Sequence, residues 1–129
     1  MSLRTRKLLL AYSPVVVATV LSAPLAAHHS GAMFDNTKTI AVHGTVKEFQ
    51  YTNPHSWLLV IVRRPDGSMV EWSFETEGPS SLMRAGIKPK SFQPGDEVTV
   101  TANPMRDGRL AGALLAVKTA DGMVHTMRP

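Results

Sequence analysis

Between Trp57 and Phe74 the chain writes out a β-hairpin, and no other stretch limits the fold as tightly. Residues Trp57 to Val62 are apolar throughout, Arg64-Pro65-Asp66-Gly67-Ser68 carries turn chemistry, and Val70, Trp72 and Phe74 then alternate with Glu71, Ser73 and Glu75. The continuous run predicts a strand covered on both faces, and the alternating run predicts a strand with one polar face, near whose end Glu75 stands. Upstream, Ile40, Val42, Gly44 and Val46 alternate with Ala41, His43, Thr45 and Lys47, which predicts a half-buried strand with Gly44 at a bulge or tight bend. Downstream, Val98, Val100 and Ala102 alternate with Thr99 and Thr101, the chain returns from Leu110 to Val117, and a short strand is expected over 123–127.

Only one helix signal interrupts this series. Pro79, the serines at 80 and 81 as caps and the closing Gly86 predict one or two turns over 78–86. Strands with a lone helix between the third and fourth are the pattern of a small all-β barrel of the OB type, five- to six-stranded, over 39–129. A sandwich is the alternative, but so few strands would close one poorly.

The first 27 residues read as a secretory signal peptide. Arg4, Arg6 and Lys7 form a positive start, Leu8 to Ala27 carry no charge, and Pro24-Leu25-Ala26-Ala27 suits cleavage after Ala26 or Ala27. The competing reading is an uncleaved membrane anchor, because an uncharged run of about 20 residues can just span a bilayer. Ser13, Pro14 and Ser22 shorten the apolar core and favour cleavage, so the membrane enters only through an uncleaved leader. The chain has no cysteine, which removes lipid attachment and disulfides alike. A small, exported, disulfide-free domain points to the periplasm.

Charge narrows the partners. Three of the 14 basic residues lie in the leader and none of the ten acids does, so the remainder sets eleven bases against ten acids, about +1. A nucleic-acid partner would need a basic stripe, and none is present; Arg63-Arg64 flanks a turn. An unknown periplasmic protein or a small molecule is the expected partner.

Two polar segments remain. His28 to Asn36 has no periodicity, and residues 28–38 are expected to form an extended N-terminal arm. Tyr51-Thr52-Asn53-Pro54-His55-Ser56-Trp57 is the densest polar cluster, and Pro54 forces a bend there that presents His55, with Asn53 expected to bond the local backbone.

Taken together, His28-His29-Ser30 with Phe34-Asp35, Gly44-Thr45-Val46, Thr52-Asn53-Pro54-His55-Ser56-Trp57, Trp72-x-Phe74-Glu75, Leu82 with Gly86, and Pro94-Gly95-Asp96 resemble a family of small exported proteobacterial proteins of unknown function. The resemblance covers nearly all of the chain after the leader. It implies a signal peptide and an OB-like barrel, and no activity. The family's recurrent polar positions map onto His28, His29, Asn53, His55 and Glu75.

Three chemistries compete. His28, His29 and His55 are candidate metal ligands, since neutral imidazole suits copper, zinc and nickel. Cleavage after Ala27 would make His28 the N-terminus, whose amine and ring nitrogen could chelate one copper ion with His29 or His55 completing the set. Cleavage after Ala26 would put histidines second and third, a chelate for copper or nickel; the competing explanation is a solvated arm. His55 and Glu75, at neighbouring ends of the hairpin strands, could form an acid/base pair, or a structural hydrogen bond that pins the bend. No serine sits in a nucleophile turn, so a small metal-dependent enzyme using His28, His55 and Glu75 is the enzymatic alternative. Finally, an OB barrel binds ligands on the face of its second and third strands, which puts Asn53, His55, Trp57 and Glu75 forward as ligand contacts, with Tyr51 and Trp72 as further aromatics. The expected role is non-enzymatic: a periplasmic binding or accessory protein with copper or another transition metal as candidate ligand. A protein-interaction module without a small ligand is the remaining alternative. The methionines are expected to fill gaps in packing.

Overall fold

The structure, a computed structural model, describes residues 31–127. The expected signal peptide, His28 and His29 lie outside the described residues. Six strands are present among those described: β1 (Ile40–Gln50), β2 (Ser56–Arg63), β3 (Met69–Thr76), β4 (Glu97–Pro104), β5 (Ala111–Thr119) and β6 (Val124–Thr126), with a helix, α1 (Pro79–Arg84), between β3 and β4.

Five strands close a ring. β1 pairs antiparallel with β2 and β4, β2 with β3, and β4 with β5. A parallel pairing of β3 with β5, Ser73 to Ala111, Phe74 to Gly112 and Glu75 to Ala113, shuts the barrel, and β6 pairs with β5. This is the closed OB-type arrangement that the order of sequence signals predicts. The interior is filled by Val42, Val46, Leu58, Val60, Phe74, Val98 and Val100, inward positions of their strands, and by Leu114 and Val117, which both face in because a bulge at Leu115 shifts the parity of β5.

Strand β1 runs farther than its alternation suggests. Its pairing with β2 shifts between Val46 and Glu48, so Lys47 is an extra residue, and the inward parity resumes at Phe49, which packs against the core. The bulge expected at Gly44 lies three residues later. Gly44 is instead a point of close approach: a Cβ there would fall 2.4 Å from the Ile61 carbonyl oxygen and 2.7 Å from Val60 Cγ1.

Strand β2 also departs from expectation. Leu58 and Val60 are fully buried, but Trp57, Leu59 and Ile61, on the opposite face, are half-buried. One face of this apolar strand therefore belongs to the molecular surface.

The helix plugs one end of the barrel through Leu82, fully buried beside Ile87 and Phe92. Its serines do not cap it. Gly78 is the N-cap, Pro79 follows, and Ser81 Oγ accepts a bond from Arg84 inside the helix. At the other end Gly86, at φ 80°, bonds to Met83 and Ile87 bonds to Leu82, a Schellman close whose two hydrophobic members are both core residues. Tyr51 Oη lies 3.0 Å from the carbonyl oxygens of both Pro79 and Ile87 and donates to this segment, tying the end of β1 to the plug.

Of the arm expected over 28–38, residues 31–38 are docked on the barrel. Gly31–Met33 is a single 3-10 turn, Phe34 bridges Met105, and both side chains are buried. Asp35 donates its N–H to the Pro104 carbonyl at 2.8 Å. Its carboxylate accepts bonds from the Thr37 hydroxyl at 2.5 Å and amide at 3.2 Å, and faces Lys38 at 3.2 Å and Arg106 at 3.9 Å. The Thr37 hydroxyl, then Lys38, lower the Asp35 pKa to about 2. Packing accounts for Met105 and Met127, which are buried; Met33, Met69 and Met123 are exposed, contrary to the gap-filling expectation, and Met83 is exposed as well.

Candidate functional site

The bend between β1 and β2 closes on its own backbone. Thr52 Oγ1 donates to the His55 carbonyl at 2.8 Å, and Ser56 Oγ both accepts from the Thr52 amide and donates to the Thr52 carbonyl at 3.3 Å. These bonds come from Thr52 and Ser56 rather than from Asn53, whose exposed side chain leans toward Gly78. The Asn53-Pro54 peptide is cis. A Cβ on Gly78 would lie 2.6 Å from the Pro54 carbonyl oxygen, so the segment leading into α1 can pack on the bend only as glycine.

With the bend fixed, strand alternation sets which way the next side chains face. Ser56 points inward, opposite Thr76, and His55 and Trp57 point outward. Trp57 pairs directly with Glu75 on β3 and with Gln50 on β1. Glu75 accepts a hydrogen bond from His55 Nδ1, the two side chains being 15% and 31% exposed. An ionised carboxylate can only accept, so in a neutral ring Nδ1 carries the hydrogen and Nε2 carries the lone pair.

The structure therefore brings His55, Trp57 and Glu75 together on one outward patch, with Asn53 on the adjoining turn. It separates the other aromatics from that patch. Trp72 shares the inward parity of Phe74 and stacks on it at 5.8 Å, and Tyr51 is engaged with the plug. Ser56, beside His55 in sequence, is fully buried and bonded to the bend, so it cannot serve the His55–Glu75 pair as a nucleophile.

Two further histidines have carboxylate neighbours. His43 faces Glu97 at 3.3 Å and Thr99 at 3.2 Å on the exposed surface of β1 and β4. His125 on β6 lies edge-on to Phe92 at 5.2 Å and lines an open cleft of about 300 Å³ with Ser91, Asp96, Glu97, Thr119 and Asp121. The acids of that cleft are engaged locally: Asp96 accepts from the Gln93 amide, Glu97 from Thr45, and Asp121 from Thr119 and the Met123 amide. The Thr119 hydroxyl is the main reason the Asp121 carboxyl is held below its ordinary range. This cleft has no counterpart in the sequence pattern, because it is assembled from three strand ends and a loop, with no motif in any of them.

Among the described residues, no three His, Cys, Asp or Glu side chains converge as a metal ion would require. The arm is anchored beside the β4–β5 turn through Asp35 and Pro104, and across the closing seam Glu75 pairs with Ala113, whose partner on β4 is Asn103, next to Pro104.

A family model for a family of unknown function, DUF6152, matches residues 16–115, and the chain belongs to that family. No curated protein and no solved structure matches it.

Proposed function

We propose that this is an exported, non-enzymatic binding or accessory protein of the periplasm whose ligand surface is the outward patch of β2 and β3, and that it takes a transition metal, copper first. The observation that carries this reading is the bond between His55 and Glu75. A metal-binding imidazole commonly donates its other ring N–H to a carboxylate, which fixes the tautomer and raises the basicity of the ligating nitrogen. His55 stands in that relation to Glu75, with Nε2 as the donor atom. His28 and His29 supply a second donor group at the processed terminus, within about 10 Å of backbone reach from Gly31. Export rests on the charged start and uncharged run of the first 27 residues.

Native mass spectrometry of the protein processed in a bacterial host gives the mature N-terminus and the metal content together. The expected result is cleavage after Ala26 or Ala27 and uptake of Cu(II), weakened at least about tenfold by His55→Ala and by a His28→Ala/His29→Ala double variant, the loss expected for one ligand of a small site. A processed protein that takes up no copper, zinc or nickel would sink the metal reading. Retention of the first 27 residues would sink the cleavage reading and with it the terminal amine at His28, leaving the uncleaved membrane anchor.

A further inference from the structure

The outward side of β2 is the largest exception to alternation in the barrel. Trp57, Leu59 and Ile61 occupy three successive outward positions and are all half-buried. Beside Trp57 stand Gln50 and Glu75, beside Leu59 stand Glu48 and Ser73, and beside Ile61 stand Thr45 and Glu71. Three large apolar side chains in one row, rimmed by polar ones, form the kind of surface that marks an interaction site.

The rim selects the partner. Glu48, Glu71 and Glu75 border the row against two cations: Lys47, whose Nζ lies 2.5 Å from Glu71, and Arg63, the exposed outward position past Ile61 at one end of the row. With the Lys47–Glu71 pair closed, the rim beside Trp57 and Leu59 stays acidic through Glu75 and Glu48, which repels polyanions and anionic lipid and attracts a cationic chain. The spacing selects its conformation. Alternate side chains on a strand stand about 7 Å apart, so the row matches every second residue of another extended chain.

We infer that this row docks an extended polypeptide segment in which apolar residues alternate with lysine or arginine. The inference does not rest on metal binding, in which Leu59 and Ile61 take no part.

The probe is a short, end-capped, dye-labelled peptide of alternating valine and lysine, titrated by fluorescence anisotropy with the processed full-length protein. A twin with glutamate for lysine is run beside it. Saturable binding of the lysine peptide alone is expected, declining with salt. Leu59→Ser and Ile61→Ser should each weaken it by about tenfold or more, the loss of one buried aliphatic contact. Glu48→Lys, a surface change that leaves the core intact, should weaken it as well, and Thr101→Ser on β4 should not. Absence of binding, equal binding of the two peptides, or binding that ignores both Leu59→Ser and Glu48→Lys overturns the inference. So does a concentration-dependent dimer abolished by Leu59→Ser, which would name a second copy as the occupant. Capture by phosphatidylglycerol vesicles in preference to the peptide would name lipid instead.

Discussion

His55 and Glu75 are joined by a hydrogen bond across the mouth of the β2–β3 hairpin, twenty positions apart in sequence. The bond belongs to the folded state, because the turn at Arg64 to Ser68 and the full ladder from Arg63–Met69 to Ser56–Thr76 are needed to bring the two together. Replacing either partner removes a half-buried, charge-assisted contact. His55→Ala and Glu75→Gln should each lower unfolding free energy by about 1 kcal/mol, with a double variant costing less than the sum. Urea denaturation of the three variants checks this; strict additivity would show that the side chains are not coupled.

Gly44 tests the barrel's tightest crossing. An alanine there would press on the Ile61 carbonyl, which the β1–β2 ladder holds in place, so the strands must part. Gly44→Ala should destabilise by about 1–3 kcal/mol. Gly31→Ala, where a Cβ meets nothing within 4 Å, should stay within about 0.5 kcal/mol of the parent. Equal effects at the two positions would contradict the close approach.

The Asp35 clasp gives a pH signature. Its folded pKa lies below its unfolded value, so its stabilising contribution is present above an unfolded pKa of about 3.8 and is lost as pH falls through about 2. Carboxyl chemical shifts followed by NMR should show Asp35 titrating near the lower end of that window. Thr37→Ala should move the midpoint up more than Arg106→Ala does, because the Thr37 hydroxyl is the leading cause of the shift.

Thr76 carries a buried hydroxyl that bonds to no described residue, opposite the fully buried Ser56. Valine has nearly the same shape without the polar atom. Thr76→Val should therefore raise the urea midpoint, by about 1 kcal/mol of stability. A loss of stability would mean that the hydroxyl is satisfied by a partner that the fold accommodates there.

Most of the barrel was legible because β1, β3 and β4 advertise their inward faces by alternation, whereas β2 and β5 are apolar on both faces, and because Pro79 and Gly86 bracket the helix. Where pattern and fold diverge, one residue hid the pattern or a distant one supplied it. Lys47 interrupts the parity of β1, so Phe49 and Gln50 look like loop in one dimension. The docking of Asp35 depends on Pro104 and Arg106, which no local pattern ties to it. Within the site, the approach of His55 to Glu75 follows from hairpin register and could be anticipated. The inward turn of Trp72 followed from its parity with Phe74, whereas the capture of Tyr51 by the helix segment needed the tertiary structure.

The parallel seam between β3 and β5 is three residue pairs long, yet it decides how this chain meets its neighbours in a crowded solution. By joining the two ends of a curled sheet, it shortens the one-sided strand stretches, which among the described residues include the three-residue β6 and the stretch from Met69 to Trp72 ahead of the seam. The first is short and the second carries Glu71 paired with Lys47, both of which discourage strand addition. Resistance to fibrillar self-association is thus built into the closure itself, in a chain that has no disulfide to lock it.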